Sequence, residues 1–127
     1  MQANFDKGYS FFLFRNSDKA LLGAVNLGNI QRGVSQSTSI GYWIGHPFAR
    51  KGYMNEAIEL LLPTIFGEFG LHRIEAATLP NNNASRNLLE KLGFKQEGKA
   101  REYLKINGIW SDHIIYSLTE SDFKKYK

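Results

Sequence analysis

Twice in this chain of 127 residues a strand-like run turns within a few residues into an amphipathic helix, and then into another strand-like run. "SIGYWIG" (39–45) is followed by "HPFARKGYMNEAIELL" (46–61) and then by "HRIEAATL" (72–79). "HRIEAATL" is followed in turn by "NNNASRNLLEKLGF" and by "AREYLKI". Each connection is long enough for a crossover between parallel strands, which places a helix against a sheet. Around this frame, "YSFFLF" (9–14) and "ALLGAVNL" (20–27) read as strands about the turn "RNSDK". The polar stretch "GNIQRGVSQST" reads as a loop. The chain closes on the hairpin "AREYLKI-NG-IWSDHIIYSL", whose Asn107–Gly108 pair suits a two-residue turn. The predicted order is β-β-β-α-β-α-β-β: an α/β domain with a mixed, mostly antiparallel sheet and helices packed on it, covering 1–127 as one unit.

The helices carry their own signals. From Met54 the apolar residues Met54, Ala57, Ile58, Leu61 and Leu62 follow one-face spacing, which predicts a helix over 53–66. Pro63 inside it removes a donor and should kink or end it near Leu62. The second helix has Asn82 or Asn83 as its cap, Leu88, Leu89 and Leu92 on one face, and Gly93 as its stop.

Composition narrows the chemistry. The chain has no cysteine, so disulfides, thiolate metal sites and a cysteine nucleophile are excluded. His46 and His72 have no partners at metal-site spacing, so no metal is expected. No apolar run approaches the ~20 residues of a membrane span, and "MQANFDKGYS" lacks a signal-peptide layout, so a cytoplasmic protein is expected. A net charge of +4 favours anionic partners but does not single out nucleic acid. Phe11, Phe12 and Phe14 read as core, not as a base-stacking platform.

Three places offer chemistry. The first helix begins without a Ser, Thr, Asp or Asn cap, directly after Arg50, Lys51 and Gly52. Free amides, the positive end of the helix dipole and two cations make an anion site there, and Gly52 lets the backbone approach a phosphate. The same run also reads as a solvated basic turn. "PNNNAS" (80–85) is a second strand-to-helix junction, and two such junctions side by side would face one crevice. In the last hairpin a regular register pairs Ile106 with Ile109, Lys105 with Trp110, Tyr103 with Asp112 and Glu102 with His113. Glu102 beside an imidazole is a candidate for proton transfer or a plain cross-strand pair. Glu75, between Ile74 and Ala76, is a second candidate base or a satisfied buried carboxylate. Glu56 reads as a first-turn acid favoured by the dipole.

Taken in order, "LLGAVNL", "IGYWIGHPFARKGYMNEAI", "HRIEAATLPNNNASRNLLEKLGFKQEG" and "REYLKINGIWSDHIIYSL" resemble the GNAT superfamily of acetyl-CoA-dependent N-acetyltransferases. Within it they are similar to the ribosomal-protein-alanine (N-terminal) acetyltransferase group, from about residue 9 to 119. The resemblance implies that "ARKGYM" is the pyrophosphate loop, with Arg50, Lys51, Gly52, Tyr53 and Met54 holding coenzyme A. Ala49 stands where Gln or Arg is typical, and Arg50 or Lys51 would compensate. Backbone at Ile44 would pair with the pantetheine arm, and Asn82 and Ser85 match the family's N-x-x-S. Leu89 stands where other members carry an acidic tyrosine, which leaves Ser85 to protonate the leaving thiolate. The base is left to Glu102, or to Glu75 through water.

The implied activity is direct transfer of an acetyl group to a primary amine, a protein N-terminus or a small molecule. The alternative is a non-catalytic module that binds CoA or an acyl-CoA. Similar enzymes begin with a strand and helices that wall the acceptor site, so the resemblance implies an N-terminally short form. In that case a homo-oligomer could complete the wall. No membrane and no nucleic-acid partner is expected.

Overall fold

The computed structural model describes residues 8–125. The N-terminal stretch read for an export leader therefore lies largely outside the described residues, as do 126–127. Six strands form one sheet: β1 Tyr9–Phe14, β2 Leu21–Gln31, β3 Ser37–Ile44, β4 Arg73–Thr78, β5 Lys95–Ile106 and β6 Ile109–Thr119. Their spatial order is β1-β2-β3-β4-β6-β5. Among the described residues only β3 and β4 pair in parallel; every other ladder is antiparallel. Helix α1 (Tyr53–Pro63) joins β3 to β4, α2 (Asn83–Lys91) joins β4 to β5, and α3 (Glu120–Lys125) closes the chain.

One face of the sheet carries the core. Registers place Val25, Leu27, Ile40, Ile74, Ala76, Ile114, Tyr116 and Leu118 on it. Met54, Ile58 and Leu62 of α1 and Leu89 of α2 are buried in the same cluster. Burying each such aliphatic side chain contributes about 1.5–3 kcal/mol, so both helices are held to the sheet by their apolar stripes. The other face is open: Phe12, Phe14 and Trp43 are 60%, 59% and 49% exposed. Phe11 packs on the core as expected, but Phe12 and Phe14 do not. The expectation of core placement fails for both because the odd residues of β1 face the helices. Phe12 takes the opposite face, and a register irregularity follows Leu13.

Other departures have local causes. The polar stretch 28–38 is not a loop throughout: β2 runs on to Gln31 through a bulge with Asn29 left-handed, and β3 starts at Ser37. Pro63 ends α1 one residue later than expected, and a single π-helical turn, Thr64–Glu68, follows it. The pyrrolidine ring offers no N–H to the preceding turn, and widening that turn accommodates the loss. α3 has a reciprocal cap that went unread: Asp122 N–H donates to Thr119 Oγ1 at 3.1 Å, and Thr119 N–H donates to Asp122 Oδ2 at 3.3 Å.

The final hairpin turns at Asn107 and Gly108, both with positive φ, as the type I′ signal requires. Its register then slips. Ala100 lies opposite His113 and Leu104 opposite Ser111, so Arg101–Tyr103 stand against Asp112 alone. Glu102 is left-handed at φ 46° and donates its N–H to Asp112 Oδ1 at 2.8 Å. The expected Glu102–His113 pair does not form. The Asp112 carboxylate holds the bulge that displaces it.

Candidate active site

β3 and β4 pair over three residues only, Ser37–Ser39 with Arg73–Glu75. Beyond that point each strand follows its other neighbour: β3 stays with β2 as far as Ile44, and β4 stays with β6 as far as Thr78. The two strands therefore part into a fork. From Ile40 to Ile44 the β4-facing edge of β3 has no ladder partner among the described residues. Both helix starts follow the ends of the parting strands, the position at which open sheets bind ligands.

At the first start the chain passes from Gly45 through a short 3-10 turn, His46–Phe48, into Arg50 at φ 64° and Gly52 at φ 82°. Gly52 caps α1 with no side-chain bond, and the first helical bond runs from Glu56 N–H to Gly52 O at 3.1 Å. The amides of Tyr53, Met54 and Asn55 therefore lack intrahelical acceptors. Left-handed residues at 50 and 52 turn the chain sharply ahead of these amides, and Arg50 and Lys51 add charge. A Cβ placed on Gly52 would meet nothing within 4 Å, so the space before the loop is open. The loop is braced from behind. Arg15 lies 5.2 Å over the Phe48 ring and donates to Asp18 at 2.7 Å, and bonds to Asp18 and Tyr53 hold its guanidinium firmly protonated.

At the second start Asn82, and not Asn83, is the cap: its Oδ1 accepts from Ser85 N–H at 3.2 Å. Ser85 Oγ lies 2.5 Å from the Tyr42 hydroxyl, which reaches from β3 across the fork. Burial pushes the Tyr42 phenol above its ordinary range, against a smaller opposing effect of Ser85. Arg86 seats α2 on β6, donating to Tyr116 Oη and to the Pro80 carbonyl, each at 3.0 Å. Tyr116 in turn donates to Glu90 at 2.9 Å. Neither Tyr42 nor Arg86 was marked in the sequence. No local spacing signals a bond across 43 residues.

On the open face a cavity of about 440 Å³ sits at the fork, lined in part by Asn26, Ser39, Glu75, Tyr103 and Leu104. Ile40, Gly41, Ala76 and Ala77 line it as well, so the cavity spans the point at which the two strands part. Glu75 is thus in the cavity, whereas Glu102 is exposed on the bulge and outside that lining. Arg73 Nε donates to Glu75 at 2.8 Å and its Nη2 to Glu97 at 2.6 Å. A second bulge after Gln96 leaves Glu97 free to reach Arg73 and to accept from Ser117 Oγ at 2.6 Å. The Arg73 guanidinium, with Ser117, holds the Glu97 carboxyl down at about 2. Glu56 lies in the first turn of α1, as expected.

Two polar atoms near this fork are buried without a hydrogen-bond partner among the described residues: Asn55 Oδ1 in the first turn of α1 and Thr78 Oγ1 at the end of β4. A phosphate-bearing ligand with a long polar arm fits these features together: free amides, cations, open space at Gly52 and two unmet polar atoms. Among the described residues no three His, Asp or Glu side chains gather as metal ligands, and no helix is long and apolar enough to cross a membrane.

Residues 1–95 match the acetyltransferase (GNAT) domain. The chain is 44% identical over 117 residues to a probable N-acetyltransferase, YjcK, of Bacillus subtilis, covering 92% of this chain and 65% of that protein. It is 37% identical over 115 residues to the ribosomal protein uS5-alanine N-acetyltransferase of Escherichia coli, covering 91% of this chain and 59% of that protein. Its backbone superposes on the ribosomal-protein-S5-alanine acetyltransferase of Vibrio fischeri with a TM-score of 0.87 at 33% identity, over 94% of this chain and 66% of that one. It also superposes on Mycobacterium smegmatis RimJ, solved in complex with CoA-disulfide, with a TM-score of 0.81 at 32% identity, over 89% of this chain and 54% of that one. The chain spans about two thirds or less of the length of these relatives.

Proposed function

This chain belongs to the acetyltransferase (GNAT) family, and on that premise we propose that it moves an acetyl group from acetyl-CoA to a primary amine by direct transfer. One observation carries the reading: two helix starts follow strands that part into a fork, and a cavity at the point of parting holds a carboxylate. The amides of residues 50–54, with Arg50 and Lys51, hold a diphosphate. The unpaired edge of β3 up to Ile44 is available to an extended polar arm, and a backbone N–H near Ile44 steadies the developing oxyanion. Asn82 fixes the first turn of α2 and with it Ser85.

Acetyl-CoA, when bound, supplies the acetyl group as a thioester and leaves as a thiol. Glu75 accepts the proton of the incoming amine through water. Arg73 Nε donates to Glu75 at 2.8 Å and fixes how the carboxylate is presented to the cavity. Ser85 would donate a proton to the departing sulfur as water returns one to its hydroxyl, so that the serine ends neutral and the amine's proton leaves through Glu75. Leu89, where other members carry a tyrosine, is 1% exposed and has no polar atom to offer. Glu102 is the weaker candidate, because it is not among the residues that line the cavity.

Two relatives are named for acetylation of a ribosomal-protein alanine, so a peptide N-terminus is the first acceptor to try. The experiment is transfer of labelled acetyl from acetyl-CoA to peptide N-termini, polyamines and aminoglycosides. Modification of any of these amines supports the proposal. Tight CoA binding with none modified would instead identify a cofactor-binding module.

A further inference from the structure

Thr78 closes β4 and is 5% exposed, yet its Oγ1 has no partner among the described residues. A strand end of this kind accepts valine equally well: the shape is the same, the β preference is comparable, and no hydroxyl is stranded. A buried, unmet hydroxyl is costly, and native proteins seldom keep one without use. Its place in the fork is informative. Ile74, Ala76 and Thr78 alternate onto the helix-covered face of β4, opposite Leu118, Tyr116 and Ile114. Counting on from the last parallel pair, Ser39 with Glu75, Thr78 stands level with Tyr42 on the parted strands. The Tyr42 hydroxyl bonds to Ser85, and Thr78 Oγ1 has no bond to it. Thr78 therefore stands beside the fork, between the last strand pair and the start of α2, with one donor unspent.

We infer that the Thr78 hydroxyl is a hydrogen-bond donor to a carbonyl oxygen in the amide-bearing arm of coenzyme A. It would then be a recognition residue for the arm and not for the nucleotide. The inference rests on the proposed cofactor. It adds a side-chain contact on β4 to the loop at residues 50–54.

The test is calorimetric titration of the wild type, Thr78→Val and Thr78→Ser with CoA and with 3′-phospho-ADP, which keeps the nucleotide and lacks the arm. Thermal melts of each free protein accompany the titrations. The expected result is CoA affinity lowered about fivefold in Thr78→Val and restored in Thr78→Ser, the worth of one neutral hydrogen bond. Affinity for 3′-phospho-ADP should be unchanged. The melting temperature of free Thr78→Val should be equal to or above that of the wild type. Unchanged CoA affinity in Thr78→Val, or an equal loss for both ligands, would overturn the inference and leave the cofactor assignment standing. A fall in the melting temperature of the free Thr78→Val protein would show a structural role and overturn it too. Failure of the wild type to bind CoA at all would remove the proposed function, and this contact with it.

Discussion

The Tyr42 and Ser85 hydroxyls lie 2.5 Å apart, joining the strand before the first crossover to the helix of the second. Burial pushes the Tyr42 phenol above its ordinary range, so the contact joins two neutral hydroxyls and positions Ser85 at the start of α2. Tyr42→Phe should lower kcat about tenfold, the worth of one positioned hydroxyl, with KM for acetyl-CoA within about twofold. Ser85→Ala should do at least as much. The double variant should be no worse than Ser85→Ala, because the two hydroxyls act as a unit. Steady-state kinetics of the three variants decides, and additive losses would mean separate roles.

Glu75 and Glu102 make opposite predictions. Glu75 lines the cavity, while Glu102 rides on a bulge pinned by Asp112. Glu75→Gln should slow turnover by about 100-fold, the usual worth of a general base, and spare CoA binding. Glu102→Gln should stay within about twofold of the wild type, since it removes no group that meets the cavity. The reverse pattern would move the base to the hairpin.

Gly52 has a left-handed backbone with open space in front of it. Gly52→Ala should therefore cost stability through φ alone, about 1 kcal/mol, read from denaturant unfolding. Gly52→Asp should in addition abolish CoA binding, because a carboxylate would stand where a diphosphate is held. CoA binding unchanged in Gly52→Asp would place the nucleotide elsewhere.

Acid should loosen the open face. The folded protein holds Glu97 at about 2 against an ordinary value of 4.5, chiefly through Arg73. The ionised form is thus favoured by folding. Its contribution is complete above the ordinary value and is lost as the pH falls from there through about 2. Both partners are partly exposed, so the contribution is about 1 kcal/mol or less. Unfolding midpoints from pH 6 to pH 2 should fall less steeply for Glu97→Gln than for the wild type.

What could be read from the residues followed from local physics. Apolar periodicity marked α1, the Asn–Gly pair marked the hairpin turn, and the missing cap before Tyr53 marked the loop that the left-handed Arg50 and Gly52 now shape. The unread features depend on distant partners or on irregular registers. A regular register from Asn107–Gly108 leads to Glu102 opposite His113, and only the Asp112 side chain reveals why two extra residues intervene. Phe12 and Phe14 look like core in a run of apolar residues, but alternation along β1 turns Phe12 outward. The Tyr42–Ser85 bond and the unmet Thr78 hydroxyl arise where two strands part, and no motif encodes that parting.

A crystal structure grown at saturating coenzyme A tests the central claim most directly. The account predicts the diphosphate seated against the backbone amides of residues 50–54, with the arm running through the fork toward Ser85. A nucleotide bound elsewhere, with those amides facing only solvent, would contradict it.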